Sequence, residues 1–442
     1  VEETSSLPLR FGPNENVVWK TPLAPGRSSP ILGGDRIFLT GHQDERLYTY
    51  AIDRDTGRVL WEREAPRPRV TEIDNRNDHA SPSAAVDGEN VYVFFPDFGL
   101  LSYDYEGNER WRYPLGPFQN IYGMGASPIV AEDKLVLVCD QNTGSFLLAL
   151  DKDTGEVAWK VDRPEAKSGH STPVLRRGED GVLEVIVPGS FLLTAYEAET
   201  GRKLWWVSGL SFEMKSTPVL AEGTIYINGY GAPENQPGAE VDSPSYEEAM
   251  QGDADGDGKL ARNEVHGHVS GWFGFVDLDG DGLLNQAEWH YYLAALASRN
   301  GILAIRTGGE GDMTEQNVVW TYHKRVPQLP SPLLYRDVLY MVNDGGIVTS
   351  LNPKSGEVVA QGRLAGAIDN YYASPVASDG KIYLASELGK IAVVSPEGDL
   401  EVLAVNDLDE LLYATPAIAD GRLYVRTQTA LYCFGKQGSA GE

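Results

Sequence analysis

Short apolar runs such as Val91–Phe95 and Arg422–Val425 alternate along the chain with tight polar turns such as Gly34–Asp35 and Asp420–Gly421. Runs this short, β-rich and closely punctuated by turns predict strands rather than helices. The alternation is itself periodic. Eight times a Ser or Thr is followed by Pro and then by an apolar stretch, at Pro30, Pro82, Pro128, Pro173, Pro218, Pro332, Pro375 and Pro416. The successive spacings are 52, 46, 45, 45, 114, 43 and 41 residues.

Within each unit a second and a third run follow, then an acidic turn and a fourth run. The junction is clearest at Ala149–Trp159 and is echoed at Ala51–Trp61 and Ala195–Trp205. Its Gly supplies the positive φ of the turn, and its acidic side chain can accept hydrogen bonds from the turn's backbone. The Trp that follows the Gly (Trp61, Trp111, Trp159 and Trp205) is expected to fill the same packing slot in each unit, whereas the units around 356–360 and 398–402 lack it.

Four short strands in roughly 45 residues are the pattern of a propeller blade, so eight units predict eight blades. The last unit ends at Leu431–Phe434 without a fourth strand, and Val17–Lys20 is an orphan strand near the N-terminus. Pairing the two closes the ring and removes an open sheet edge. The expected fold is all-β: an eight-bladed β-propeller of four-stranded blades over 1–230 and 301–442, with a small α-helical insertion at 231–300.

The Ala-x-Asp-x-x-Thr-Gly-x-x-x-Trp run resembles the tryptophan-docking repeat of the eight-bladed quinoprotein-like propellers. That superfamily includes pyrroloquinoline-quinone dehydrogenases and the outer-membrane assembly lipoprotein of the β-barrel machinery. The resemblance covers nearly the whole chain outside 231–300. It implies the fold and carries no chemistry, because the motif packs blades.

The 114-residue interval is the outlier. The fifth blade begins normally through Thr224–Asn228 and resumes at Gly301–Arg306, so the insertion lies between its second and third strands. Inside are two loops, Asp253–Glu264 and Asp277–Glu288, that match the EF-hand pattern. A hard cation needs several oxygens. Asp253, Asp255 and Asp257 with Glu264, and Asp277, Asp279 and Asp281 with Glu288, would supply them, joined by the backbone carbonyls of Lys259 and Leu283. Gly258 and Gly282 stand where each loop must turn sharply, and Leu260 and Leu284 can pair the loops through a short β contact. Two calcium ions are therefore expected. The loops are closely spaced, which favours a stable site over an opening switch, and 286–298 is expected to form the exiting helix.

Composition narrows the partners. A formal charge of −27 repels nucleic acid. No apolar run is long enough for a transmembrane helix. Val1 is not an initiator Met, which fits a mature chain with its signal peptide removed, acting in the periplasm or secreted. Cys139 and Cys433 are read as separate buried thiols.

Chemistry is expected on the face formed by the loops between blades and between second and third strands. His79, His170 and His323 fall in interblade loops, His42 in a second-to-third loop, and His266, His268 and His290 in the insertion. Aligning the units on Pro puts Arg27, His79, His170, Lys215, Tyr372 and Tyr413 at equivalent places around the channel mouth. This candidate ring would bind an anionic group, with Tyr371 adding stacking surface; the bland alternative is local pairing with Asp74, Asp78, Glu213 or Asp369. Two functions follow, beside a third, hydrolase or lyase chemistry at the channel mouth by His79, His170 and Tyr372, that has no motif behind it. One is a non-catalytic, calcium-stabilised propeller that binds a protein or glycan. The other is a quinoprotein-type oxidoreductase holding pyrroloquinoline quinone over the channel. The absence of a vicinal Cys pair and interblade loops read as short favour binding over catalysis.

Overall fold

The computed structural model describes residues 7–397 and 400–436; part of the 398–402 unit lies outside them. Each repeat folds into an antiparallel sheet, and the eight sheets form an eight-bladed propeller. Burial follows position in the blade. Second strands such as Lys134–Cys139 are buried along their whole length, because neighbouring blades cover both faces. Fourth strands such as Glu109–Pro114 alternate between exposed and buried residues, the period-two signature of an outer edge. First strands of neighbouring blades touch one another, so they form the innermost ring.

The Ser/Thr-Pro pattern has a structural cause. The backbone N–H of Ser29 donates to Ser83 Oγ, Ser83 to Ser127 Oγ, and Ser127 to Thr172 Oγ1, at 2.9–3.0 Å. On the other side Thr217 donates to Ser331 Oγ, Ser331 to Ser374 Oγ, Ser374 to Thr415 Oγ1, and Thr415 back to Ser29 Oγ. Each hydroxyl thus ties one blade to the next around the channel. The second blade corrects the alignment: Ser83, not Ser81, occupies the hydroxyl slot, so His79 lies two residues before the position equivalent to Arg27.

The tryptophans form a second belt further out. Nε1 of Trp19, Trp61, Trp111, Trp159 and Trp320 donates to a carbonyl in the turn of the following blade, at Arg54, Tyr105, Lys152, Ala198 and Pro353. Those turns need glycine for two reasons. At Gly107, φ is +82°, and an added Cβ would lie 2.7 Å from the Trp61 ring. Trp205 departs from the expected slot. The next blade's turn is replaced by a longer segment whose strand Gly311–Asp312 pairs in parallel with Trp205–Trp206, and Trp205 Nε1 is buried without a partner. Trp19 and Trp320 complete the belt although no Thr-Gly run precedes them.

The eighth blade combines Ala417–Ala419, Arg422–Arg426 and Ala430–Gly435 with the N-terminal strand Val17–Pro22. Trp19 lies opposite Cys433 and Thr21 opposite Leu431. Both cysteines are free and buried.

Between strands Thr224–Gly229 and Gly301–Arg306 of the fifth blade the chain builds a compact helical unit. Its own core includes Leu260, Val269, Phe273, Leu284, Trp289 and Tyr292. Its two longer helices are His268–Val276 and Gln286–Ala297. A two-stranded contact sets Leu260 opposite Leu284. No helix among the described residues is long and apolar enough to cross a membrane.

Candidate functional site

Two groups of side chains have the density of a functional site, one in the insertion and one at the channel mouth. The first is the pair of acidic loops. Asp253, Asp255 and Asp257 each offer a carboxylate oxygen, all within 4.8 Å of one another, and Asp277, Asp279 and Asp281 do the same. Backbone amides hold these carboxylates in place: Asp253 accepts from Gly256 and Gly258, and Asp277 from Gly282. Gly258 and Gly282 have φ of +85° and +82°, the left-handed conformation the sharp turn requires.

Glu264 and Glu288 stand outside these triads. Glu264 accepts from the amides of Ala254 and Ala261, and Glu288 from those of Leu278 and Asn285, the latter as a helix capping box. Lys259 Nζ reaches across to Asp281 Oδ2 at 2.5 Å. Leu283 opens the short strand opposite Ala261. Oxygen-only triads of this kind suit a hard divalent cation, with the two glutamates the nearest additional donors.

The second group lies at the channel mouth, and here the candidate ring is only partly assembled. Arg27 stacks 3.9 Å from the Tyr413 ring centroid and donates to the carbonyls of Arg76 and Asn75. Tyr413 packs edge-on against Tyr372 at 5.2 Å and donates its hydroxyl to Glu387. Tyr371 is buried, with its hydroxyl on the carbonyl of Ala367, so it offers no stacking surface.

Across the mouth, Lys215 Nζ bonds Glu213 at 2.5 Å and sits 5.2 Å from the Tyr122 ring. Arg76 lies 4.9 Å from the same ring, held by two bonds to Asp74. His170 is half-buried against the cavity and edge-on to Tyr122. Burial, then the Lys215 charge, pushes its pKa down to about 3, so the imidazole is neutral. Its Nε2 and Glu213 Oε1 are buried without partners. Burial raises the Glu213 pKa.

His79 belongs elsewhere. Its Nδ1 is 3.0 Å from Asp97 Oδ2, close enough for an ion pair but not aligned for a hydrogen bond. Asp97 also accepts from Arg67 and from the amide of Thr71. Burial raises its pKa, but the contact with His79, followed by the bonds from Thr71, outweighs this and holds it below the usual carboxylate range. His42 lies inside the strand Arg36–Gln43 rather than in a loop. Its ring contacts His79 at 4.8 Å, and burial followed by the Arg67 charge lowers its pKa. The interblade segment 66–84, read as short, is long enough to carry Arg67, Arg76 and His79 over this rim.

Arg76, Asn77, Tyr122, Gly125, His170, Lys215, Gln328, Leu329 and Tyr372 line a cavity of about 220 Å³. A second cavity of about 420 Å³ shares Arg76, Tyr122 and Gln328 and continues under the insertion. Trp272 and Phe275 of helix His268–Val276 roof it, with Phe212 and Tyr230 as walls. Aromatic contacts fasten the roof: Tyr122 to Phe275 at 5.9 Å and Phe212 to Trp272 at 5.8 Å. Arg76, Tyr122 and Trp272 carry no motif and adjoin only through the tertiary fold.

Comparison with known proteins fixes the family. Residues 13–146, 144–243 and 291–439 match the family model described as outer membrane protein assembly factor BamB. The chain belongs to this BamB family. The Yersinia pestis outer membrane protein assembly factor BamB is 22% identical over 403 residues, covering 86% of this chain and 88% of its own. The 1-butanol dehydrogenase (quinone) of Thauera butanivorans is 28% identical, over 33% of this chain and 24% of its own. Among solved structures, BamB from Moraxella catarrhalis superposes with a TM-score of 0.61 at 12% identity, covering 95% of this chain and 99% of that one. A europium-containing methanol dehydrogenase gives 0.62 at 8% identity, covering 96% and 95%. BamB-like and quinoprotein propellers thus share this fold, and the decision between them rests on the mouth.

Proposed function

We propose that this BamB-family chain is a calcium-loaded, non-catalytic propeller that presents its loop face to a partner, in the periplasm or outside the cell. The observation that carries this reading is the charge balance at the mouth. Lys215 is committed to Glu213 and Arg76 to Asp74. Arg27 is committed to backbone carbonyls and the Tyr413 ring. Pyrroloquinoline quinone, a planar polycarboxylate, would have to displace these internal carboxylates to gain its cations, so the residues present do not fit it. The two cysteines are buried in different blades and form no vicinal pair. The match to an outer membrane protein assembly factor along 86% of the chain supports a protein partner in the cell envelope.

Calcium would shape this face. The second acidic loop begins at Asp277, immediately after the helix that carries Trp272 and Phe275 onto the propeller. Calorimetric titration with calcium is expected to give two sites per chain, and Asp253→Ala with Asp277→Ala should abolish both. Undiminished uptake by the double variant would sink the calcium assignment. Purified protein mixed with pyrroloquinoline quinone and calcium should show neither a bound-quinone absorption band nor alcohol-dependent dye reduction. Observing both would replace the binding reading with the oxidoreductase one. Covalent cross-linking in isolated cell envelopes should recover an envelope protein joined through the loop face.

A further inference from the structure

The cleft between the channel mouth and the insertion has a lining of definite chemistry. Its floor is the Tyr122 ring, with Arg76 and Lys215 at 4.9 and 5.2 Å from the centroid. Its roof includes Trp272, half-buried and supported from behind by Phe212. Side-chain amides stand beside it at Asn77 and Gln328, and one carboxylate, Glu234, lines the larger cavity beside His268. Asn77 donates its amide N–H to the carbonyl of Tyr122 and accepts from the amide of Asp78, which fixes the side chain.

We propose that this cleft binds an anionic saccharide, a sugar chain bearing carboxylate or sulfate groups. The reading deepens the binding function and rests on it. Aromatic faces recognise the C–H faces of sugar rings, and fixed amides and charged groups recognise hydroxyls and anions. A ligand anion needs only to share the cations, not to remove their partners. Arg76 uses Nε and one terminal nitrogen on Asp74, and its guanidinium has further N–H groups; the Lys215 ammonium has two beyond the one on Glu213. Sharing suits anions spaced one to a sugar ring along a flexible chain and does not suit several carboxylates fixed on one rigid planar group. The two cavities of about 220 and 420 Å³, which share Arg76, Tyr122 and Gln328, have room for a few sugar residues.

The test is calorimetry on the calcium-saturated whole chain with oligogalacturonate, with a sulfated galactan oligosaccharide, and with neutral maltooligosaccharide. Binding of either anionic sugar but not the neutral one is expected, and the two anionic arms identify which anion is used. Trp272→Ala and Arg76→Gln should each weaken it about tenfold, the loss typical of a central contact. Both variants must keep the parent melting temperature and calcium stoichiometry, so that lost affinity reports the cleft. Because galacturonate itself coordinates calcium, the Asp253→Ala and Asp277→Ala protein is included; binding that follows the acidic loops rather than Trp272 overturns the proposal. Equal binding of the neutral sugar, or no binding of any, overturns it as well. Such a failure leaves envelope cross-linking and calcium uptake untouched, so the two readings fail separately.

Discussion

At the residue scale the informative group is His170, a neutral imidazole with no partner on Nε2 and a cationic ammonium nearby. Unfolded, it protonates near its ordinary value of about 6.5, whereas in the native protein burial and Lys215 hold it at about 3. Between those values the unfolded chain binds more protons, so His170 favours unfolding increasingly as pH falls below about 6.5. Its effect on stability approaches about 1.4 kcal/mol per pH unit within that window. Glu213, with its pKa raised by burial, acts in the opposite sense: its contribution is present at low pH and is lost as pH rises. Chemical denaturation of the parent and of His170→Gln across pH 4 to 7 separates them. The variant should lose stability less steeply on acidification. Parallel curves would mean that the imidazole is not held neutral.

At the scale of single elements, the docked tryptophans connect the repeat to stability. Trp111 is largely buried, gives its N–H to the carbonyl of Lys152, and covers Gly155 of the next blade. Trp111→Ala should cost about 3–5 kcal/mol in denaturant unfolding, the range for a large buried aromatic. A loss below about 1 kcal/mol would show that the belt is not a main stabiliser. These elements were legible because they are local: a Gly with positive φ, an acidic turn and a Trp lie within one short stretch. The two carboxylate triads were legible for the same reason, since each lies within one short stretch of chain. The second blade was not, because Ser81-Pro82-Ser83 offers two hydroxyls to one slot and only pairing with Ser29 and Ser127 selects Ser83. That slip brought His79 into the candidate ring. Trp205 escaped for a related reason, since its partner turn is replaced by residues more than 100 positions away. The cleft was least legible of all. Arg76, Tyr122, Lys215 and Trp272 come from three interblade loops and the insertion, and no periodicity links them.

At the scale of the molecule, stability depends on a ring that is closed twice. The inner closure is the bond from the Thr415 amide to Ser29 Oγ, which joins the last blade to the first. The outer closure is the strand Val17–Pro22, which covers Ala430–Gly435 and places Trp19 over the first blade's Gly57. Without that strand, the backbone of Leu431–Phe434 becomes an unpaired sheet edge, and Trp19 leaves the apolar cluster that holds Leu431 and Cys433. An open edge of apolar strand pairs with another copy of itself. A chain lacking residues 1–22 should therefore melt at lower temperature and elute as oligomers or aggregate in size-exclusion chromatography. Adding a peptide spanning Val17–Pro22 should restore the monomer by refilling the edge, and the same peptide with Trp19→Ala should do so poorly because it cannot dock on Gly57. If the shortened chain stays monomeric with the parent melting temperature, the hydroxyl ring alone closes the propeller.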